Sequence, residues 1–241
     1  MVRIALGGGG VRILFIAADP LEYSGLLPRL VGVAPVTLGA DWARGGRLGT
    51  HDVLLVANGA GRSRAAAALE AACAVFAADA VVNTGFCGAL DPSLEVAAVV
   101  AGTAIAGEGG EFPVRPVAAN ALYRQGVVYT ADRVAQTAAE KAELRRTGAA
   151  VVEMEAAGVA AESLRRGLPL YCVRAVTDLA DESFANDFNA ALREDGHFDT
   201  MIILRNSVRR PLARLPELIR LRNRCALAAR TLGDFFADCR F

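Results

Sequence analysis

The segment Val151-Val152-Glu153-Met154-Glu155-Ala156-Ala157-Gly158, followed by Val173-Arg174-Ala175-Val176-Thr177-Asp178, decides the fold of this chain. Each half has the pattern of a buried strand that ends in a carboxylate. Glu153 and Glu155 stand where a strand gives way to an alanine-rich helix, and Asp178 stands where the next strand leaves the sheet. Because parallel α/β folds bind ligands just outside the carboxyl ends of their strands, we expect these acids to share one pocket. Such a pocket suits acid–base chemistry on a hydroxyl-rich substrate.

The pattern of this segment extends over most of the chain. Apolar, β-branched runs alternate with alanine-rich helical stretches, which is typical of a sheet covered by helices on both faces. The pattern predicts an α/β fold with three layers (α/β/α) and a mixed, mostly parallel central sheet. The expected strands cover residues 11–17, 52–57, 79–84, 95–106, 126–130, 149–153 and 169–176. The expected helices cover residues 20–31, 62–77, 136–146 and 155–166, with one or two more between 199 and 239.

Length and composition favour one domain. The chain has 241 residues, of which 54% are hydrophobic, and α/β folds of this size commonly stay undivided. We expect residues 1–10, which include four consecutive glycines, to be a disordered or misassigned extension. Residues 11–241 then form the domain, with a basic helical segment from about 205. No apolar run is long enough for a membrane span, and the first one is too short for a signal peptide.

The rest of the composition limits which binding partners and which cellular compartment we expect. Five cysteines without CxxC spacing indicate reduced thiols in a cytoplasmic protein. His51 and His197 have no ligand-like neighbours, so we expect no metal. The chain has zero net charge and a single lysine, Lys141. We give its many arginines little functional weight and expect no nucleic-acid partner. The basic segment from Pro211 has helical apolar spacing, which fits a helix packed on the sheet or peripheral contact with an anionic membrane.

Two glycine-rich turns are further candidates for ligand contact. Asn58-Gly59-Ala60-Gly61-Arg62 follows a strand and opens a helix, where backbone amides favour anions. Asn83-Thr84-Gly85-Phe86-Cys87-Gly88 follows the next strand. We expect Gly59, Gly61, Arg62 and Thr84 to face a phosphate or a water molecule. An ordinary tight turn remains the alternative for both segments.

Five elements together carry a family resemblance from about residue 11 to 190. In chain order they are Asp19-Pro20-Leu21-Glu22, Gly59-Ala60-Gly61, Asn83-Thr84-Gly85-Phe86-Cys87-Gly88-Ala89-Leu90, Glu153-Met154-Glu155-Ala156-Ala157-Gly158 and Thr177-Asp178. The chain thereby resembles the nucleoside phosphorylase and methylthioadenosine–S-adenosylhomocysteine nucleosidase superfamily. The resemblance implies a nucleoside phosphorylase-like fold and cleavage of the N-glycosidic bond of an adenine-type nucleoside. It implies no metal or organic cofactor, and a homo-oligomer for which we favour a dimer.

The resemblance also assigns roles to residues. Asp178 matches the acid that protonates the leaving purine, which requires a pKa raised by burial. Glu155 matches the glutamate that binds the ribose hydroxyls, and Met154 matches the apolar wall under the sugar. Arg174 is similar to the arginine that holds this glutamate ionised. Other residues expected to contact the substrate are Glu153, Phe86, Gly88, Thr177 and Val134, the last near the place where an aromatic residue commonly stacks on adenine.

The sequence of the first loop helps to decide whether the reaction is hydrolysis or phosphorolysis. Bacterial phosphorylases of this group have a Gly-Asp-Pro-x-Arg pattern, whereas this chain has Ala18-Asp19-Pro20-Leu21-Glu22. Asn83 and Phe86 replace two further phosphate contacts. The resemblance therefore favours hydrolysis, with Glu22 as the general base and adenine as a product. A phosphorylase that holds phosphate with the amides of residues 59–62 and Arg62 remains an alternative. So does a non-catalytic nucleoside-binding or lipid-surface protein.

The tail resembles one branch of the superfamily. Arg209-Arg210-Pro211-Leu212-Ala213-Arg214-Leu215-Pro216-Glu217-Leu218 follows the turn Asp195-Gly196-His197-Phe198-Asp199. Both are similar to the hopanoid-associated members, which are linked to the removal of adenine from adenosylhopane. The resemblance thus makes a lipid-tailed nucleoside one candidate substrate. The identity of the 5′ substituent otherwise stays open.

Overall fold

The computed structural model describes residues 10–208 and 211–240. The extension predicted for residues 1–10 lies outside this range except for Gly10, and so do Arg209 and Arg210 of the predicted tail motif. The described strands are β1 (Arg12–Ala17), β2 (Val31–Pro35), β3 (Trp42–Leu48), β4 (His51–Ala57), β5 (Ala80–Ala89), β6 (Val99–Gly107), β7 (Gly110–Pro113), β8 (Arg124–Thr130), β9 (Ala149–Glu153) and β10 (Leu170–Asp178). The helices are α1 (Arg62–Cys73), α2 (Ala138–Arg145), α3 (Ala156–Arg166), α4 (Thr200–Ser207) and α5 (Pro211–Asp238).

The strands form one mixed sheet that closes on itself at one side. Its order is β10-β6-β8-β9-β5-β1-β4-β3-β2, and β10 also pairs with β5, so β5, β9, β8, β6 and β10 make a ring. The β1–β4, β1–β5, β5–β10, β6–β8 and β8–β9 pairs are parallel. The pairs β2–β3, β3–β4, β5–β9, β6–β7 and β6–β10 are antiparallel. The predicted α/β fold with a mixed sheet is confirmed, but in the described part parallel pairs do not predominate.

Helices cover both faces of this sheet. On one face, small residues of α1 and α3 let these helices pack closely against β1, β4 and β5, in a core that includes Ala68, Leu69 and Val159. On the other face, the C-terminal half of α5 packs against β1, with Phe236 edge-on to Phe15 at 5.1 Å between ring centroids. Each such large apolar side chain contributes about 1.5–3 kcal/mol when fully buried. These two apolar layers hold the strand ends in fixed positions.

The helix predicted for residues 20–31 is wrong. The segment instead forms two short 3-10 turns, Pro20–Tyr23 and Leu27–Arg29, and β2 begins at Val31. Asp19 and Glu22 close the first turn as a capping box, and Pro28 has no N–H with which to continue a helix. Gly25 lies directly against α5, where an added Cβ would stand 2.0 Å from the Ala229 carbonyl oxygen. This tight turn directs Glu22 into the molecule.

Candidate active site

The carboxyl ends of β1, β5, β9 and β10 surround a cavity of about 380 Å³. The structure brings together at this cavity nine of the residues predicted from the sequence. They are Glu22, Phe86, Gly88, Val134, Glu153, Met154, Glu155, Thr177 and Asp178. The expectation that the strand-end acids share one pocket is therefore met in the geometry.

Glu22 is buried at the cavity wall and held by three backbone amides. Its Oε2 accepts hydrogen bonds from the N–H groups of Ala18 (2.8 Å) and Asp19 (3.0 Å), and its Oε1 accepts one from Phe86 (2.6 Å). Burial raises the pKa of Glu22, although Arg174 and these amides oppose the rise. Glu22 is thus a fixed carboxyl group with an elevated proton affinity, as a general base requires.

Glu153 and Arg174 form the structural centre of the site. Glu153 accepts hydrogen bonds from the Thr130 hydroxyl (2.6 Å) and the backbone N–H groups of Glu155 and Ala156 (both 2.9 Å). It also pairs with the guanidinium of Arg174, which is fully buried. Although Glu153 lines the cavity, its carboxylate oxygens are occupied by protein groups. Its observed contacts fix the junction between β9 and α3.

Glu155 is the first residue before α3 and faces the cavity. Its Oε1 accepts a hydrogen bond from the Gly61 N–H at 3.1 Å, and its Oε2 lies 3.5 Å from the Arg174 Nη1. Burial and the charge of Glu153 raise the pKa of Glu155 to about 8, and Arg174 lowers it only in part. Arg174 thus lies where it favours the ionised form of Glu155, although burial and the charge of Glu153 outweigh its effect on the pKa.

Asp178 ends β10 and carries a partner that sequence reasoning missed. Its Oδ2 lies 2.5 Å from the Nζ of Lys141, and its Oδ1 accepts a hydrogen bond from the Thr177 hydroxyl at 3.0 Å. Burial raises the pKa of Asp178, with Lys141 acting in the opposite direction. The elevated pKa agrees with the requirement for a proton donor. Lys141 carried one signal in the sequence, since it is the only lysine.

The residues expected at a phosphate or water loop stand behind the cavity wall. Gly59, Gly61, Arg62 and Thr84 do not line the cavity. Arg62 is engaged by Glu108 at 2.7 Å and Asp132 at 2.6 Å. Gly61 supports Glu155, and the Thr84 carbonyl accepts a hydrogen bond from Arg174 at 3.3 Å. Gly61 and Thr84 therefore contact Glu155 and Arg174, whereas Arg62 is held by two carboxylates outside the cavity lining.

One side of the cavity is an apolar wall that the sequence did not reveal. Phe184 and Phe188 pack edge-on at 5.0 Å, and Phe188 meets Phe198 in the same way at 6.1 Å. The wall is completed by side chains from the first turn, α4 and α5, and its members are Leu21, Phe184, Phe188, Phe198, Ile203 and Leu221. The cavity thus has an acidic end at the strand termini and an apolar end under α5.

In the part of the chain that the structure describes, neither a metal cluster nor a membrane-spanning helix accompanies this site. Within residues 10–208 and 211–240, no group of three or more His, Cys, Asp or Glu side chains is arranged to hold a metal ion. No helix of the same residues has the length and apolarity to cross a membrane.

Buried acids at the strand ends of an α/β sheet, around a partly apolar cavity, define a class of enzyme that binds a small organic substrate. Residues 12–122 and 114–204 match the model of the phosphorylase superfamily. The chain belongs to that superfamily.

Individual relatives agree with the family. The chain is 26% identical over 187 residues to the 5′-methylthioadenosine/S-adenosylhomocysteine nucleosidase of Staphylococcus saprophyticus, covering 66% of this chain and 82% of that protein. Its fold is similar to the nucleosidase of S. pneumoniae with the inhibitor MT-ImmA (TM-score 0.70, 19% identity, 94% and 99% coverage). It is also similar to that of Neisseria meningitidis with methylthio-immucillin-A (TM-score 0.65, 23% identity, 93% and 99% coverage). The predicted superfamily, fold and class, an enzyme acting on N-glycosyl compounds, are confirmed.

Proposed function

We propose that this chain hydrolyses the N-glycosidic bond of a 5′-substituted adenosine and releases adenine. The observation that carries the proposal is the meeting of Glu22, Glu155 and Asp178 at one cavity. The name of the Staphylococcus saprophyticus relative, a nucleosidase, supports the same reaction. The three acids divide the chemistry among water, sugar and base.

Each acid has a place in the reaction. Asp178 donates a proton to the purine, so that the base leaves neutral when the C–N bond breaks. Glu155 accepts hydrogen bonds from the ribose hydroxyls, with Met154 under the sugar. Glu22 takes a proton from the attacking water. The elevated pKa values of Asp178 and Glu22 support these roles, because both groups must exchange protons near neutral pH.

The charges at the cavity favour water over phosphate as the nucleophile. Arg133 is the only cationic side chain among the described residues that line the cavity, and it is well exposed and paired with Glu140. Arg62 and Arg174 are both committed to carboxylates. A phosphate dianion would therefore meet the Glu22 carboxyl without an available counter-charge, and burying an unpaired charge is costly.

The apolar wall supports an apolar 5′ substituent. Phe184, Phe188 and Phe198 offer no charged partner for an amino-acid group, whereas they can bury a methylthio or hydrocarbon group at about 0.8 kcal/mol per CH₂. A hydrocarbon-tailed nucleoside such as adenosylhopane is therefore one proposed substrate within this class.

Adenine release tests the reaction and the substrate together. Purified protein is incubated with methylthioadenosine, S-adenosylhomocysteine, adenosine and a long-chain 5′-alkyl adenosine, each with and without phosphate. We expect phosphate-independent release and a preference for apolar 5′ groups. A rate that depends on phosphate would identify a phosphorylase instead. Failure of every nucleoside would refute the proposed function.

The exposed first half of α5 supports a peripheral membrane contact. Leu212 (93% exposed) and Ile219 (63% exposed) lie beside the arginines of the same helix, while its second half is buried against the sheet. Leu212→Glu with Ile219→Glu should abolish co-sedimentation with anionic vesicles. Exposed Leu122→Glu with Leu164→Glu is the matched control, since it adds the same two charges elsewhere.

We further propose a cytoplasmic homo-oligomer, with a dimer as the favoured state, on the basis of the family resemblance. Light scattering of the purified chain measures its mass. A monomer that is fully active would contradict this proposal.

A further inference from the structure

The loop that joins β8 to α2 forms one side of the cavity and carries Val134, which lines it. The loop is fixed at its start by the Ala131 N–H, which donates a hydrogen bond to the Glu153 carbonyl oxygen at 2.8 Å. It is fixed at its end by the Gln136 N–H, which donates to the Glu140 Oε2 at 2.9 Å. Between these two points the loop is neither helix nor strand, so another group must hold the backbone that borders the cavity.

Asn189 supplies this support with both ends of its side-chain amide. Its Oδ1 accepts a hydrogen bond from the Val134 N–H at 2.9 Å, and its Nδ2 donates one to the Val134 carbonyl oxygen at 2.9 Å. In the described part of the chain, these are the only hydrogen bonds that the backbone of residues 132–135 makes. The contact needs a donor and an acceptor side by side, which the amide of an asparagine provides.

Gln136 makes the reverse contact from the loop to the segment that carries Asn189. Its Oε1 accepts hydrogen bonds from the N–H groups of Phe188 (2.5 Å) and Asn189 (3.2 Å). Its backbone carbonyl oxygen accepts a further hydrogen bond from the Phe184 N–H at 2.8 Å. We call Gln136 and Asn189 the amide clamp, because their two side chains hold the loop and the apolar wall of the cavity together.

The amide clamp leaves the next peptide groups of the loop available to a ligand. Ala135 is 9% exposed and lines the cavity. Its backbone N–H and carbonyl oxygen have no hydrogen-bond partner among the described residues. Buried backbone groups are nearly always paired, so these two suit a partner inside the cavity. The edge of adenine offers an acceptor at N1 and a donor at N6, whereas hypoxanthine has a donor at N1 and an acceptor at C6.

We propose that Asn189 is a positioning residue for base selection, which fixes the Ala135 backbone through Val134 so that the site accepts 6-aminopurines and rejects 6-oxopurines; this inference rests on the proposed hydrolysis. Asn189 does not line the cavity, so it acts on the base only through the loop. A site with fixed donors and acceptors discriminates strongly against an analogue that leaves them unpaired. A loop that is free to shift would adapt to either base and lose that discrimination.

Two variants release the loop in different ways. Asn189→Asp keeps the acceptor for the Val134 N–H but sets a carboxylate oxygen against the Val134 carbonyl oxygen. Asn189→Leu removes both hydrogen bonds at a similar side-chain volume. Both variants retain the backbone N–H at this position, which Gln136 binds. Ala190→Asp is the matched control for the added charge, since Ala190 is the next residue and is exposed.

Methylthioadenosine and its 6-oxo analogue, methylthioinosine, make the comparison. Both have the same sugar, 5′ group and N7, so Glu22, Glu155 and Asp178 act on them alike. Wild type should release adenine with a kcat/KM at least about 10²-fold above that for hypoxanthine. In both Asn189 variants this ratio should fall by about tenfold or more through loss on the adenine substrate, while hypoxanthine release stays within about threefold of wild type. Ala190→Asp should keep the wild-type ratio. Retained hypoxanthine release also shows that a variant is folded.

Four results would overturn the inference. Equal release of the two bases by wild type would mean that there is no base selection. Equal losses on both substrates in the Asn189 variants would make Asn189 a structural residue, and an unchanged ratio would show that the loop is held without it. A fall of the ratio in Asn189→Asp and Ala190→Asp but not in Asn189→Leu would assign the effect to charge. All four leave the proposed hydrolysis standing, whereas failure of wild type to release adenine from any nucleoside refutes that function itself.

Discussion

Replacing Gly85 by alanine tests the placement of Glu22 most directly. Gly85 has a φ of +145°, and an added Cβ would stand 2.3 Å from the Glu22 Oε1 and 2.8 Å from the Arg174 Nη1. The backbone strain of a non-glycine residue in this region costs about 1–3 kcal/mol. Displacing the Oε1 breaks its hydrogen bond with the Phe86 amide, which contributes about 1.5–3 kcal/mol because the acceptor is charged.

Together these effects predict a loss of about 2.5–6 kcal/mol in the free energy of unfolding of Gly85→Ala. The variant should also lose about 10²-fold or more in kcat, because the displaced carboxyl group no longer reaches the attacking water. Urea denaturation measures the first quantity, and spectrophotometric adenine release measures the second.

Gly148→Ala is the matched control for this substitution. Gly148 also has a positive φ, +86°, but an added Cβ there meets nothing within 4 Å. It should therefore cost only the strain of a left-handed residue, about 1–2 kcal/mol, with unchanged kcat. If Gly85→Ala is no less stable than Gly148→Ala and retains wild-type turnover, the close contact between Gly85 and Glu22 is not present in the working enzyme.

Three further substitutions examine the acids one by one. Asp178→Asn should abolish adenine release while the fold stays intact by circular dichroism; near-normal turnover would refute the assigned proton donor. Glu22→Gln should lower hydrolysis by about 10²–10⁴-fold, and recovery on adding phosphate would contradict its role as the base. For Glu155, whose pKa is raised to about 8, the stability from the protonated form is present below about pH 4.5 and is lost as pH rises toward 8. Glu155→Gln should therefore unfold at a higher temperature than wild type at pH 9, with little difference at pH 4, and a constant difference across pH would contradict the raised pKa.

The sequence predicted the strand-end acids well because their positions depend on local order. Glu153 ends β9 and Asp178 ends β10. The two strands do not run in the same direction, because β9 pairs antiparallel with β5 while β10 pairs parallel with it. The two acids meet because Gly88 of β5 pairs with Val152 on one side and with Asp178 on the other. The closure of the ring could not be predicted in this way. It depends on antiparallel pairing of β6 with β10, about 70 residues apart along the chain, and no periodic pattern reports such a partner.

The apolar wall of the cavity could not be predicted from local sequence patterns for the same reason. Phe184, Phe198 and Leu221 come from three separated segments and become one surface only after α5 packs on the sheet. In the sequence, Lys141 is an ordinary charged residue of a predicted helix. Only the folded structure shows its contact with Asp178. The family resemblance predicted the acids, but it did not predict these neighbouring residues.

The charge balance of the buried site explains why it suits a cationic transition state. Glu22, Glu153 and Glu155 surround one cation, Arg174, and all four are buried. One guanidinium cannot compensate three carboxylates, so an excess of negative charge remains. Burial raises the pKa of both Glu22 and Glu155, and at Glu155 the negative charges of Glu153 and Glu22 raise it further. A ribosyl group that gains positive charge as its C–N bond breaks would relieve this excess, whereas the neutral substrate would not. Only interactions that strengthen in the transition state accelerate a reaction, and a preformed negative site of this kind is one such interaction. The same excess would repel a phosphate dianion, so the feature that costs folding stability also favours water as the nucleophile.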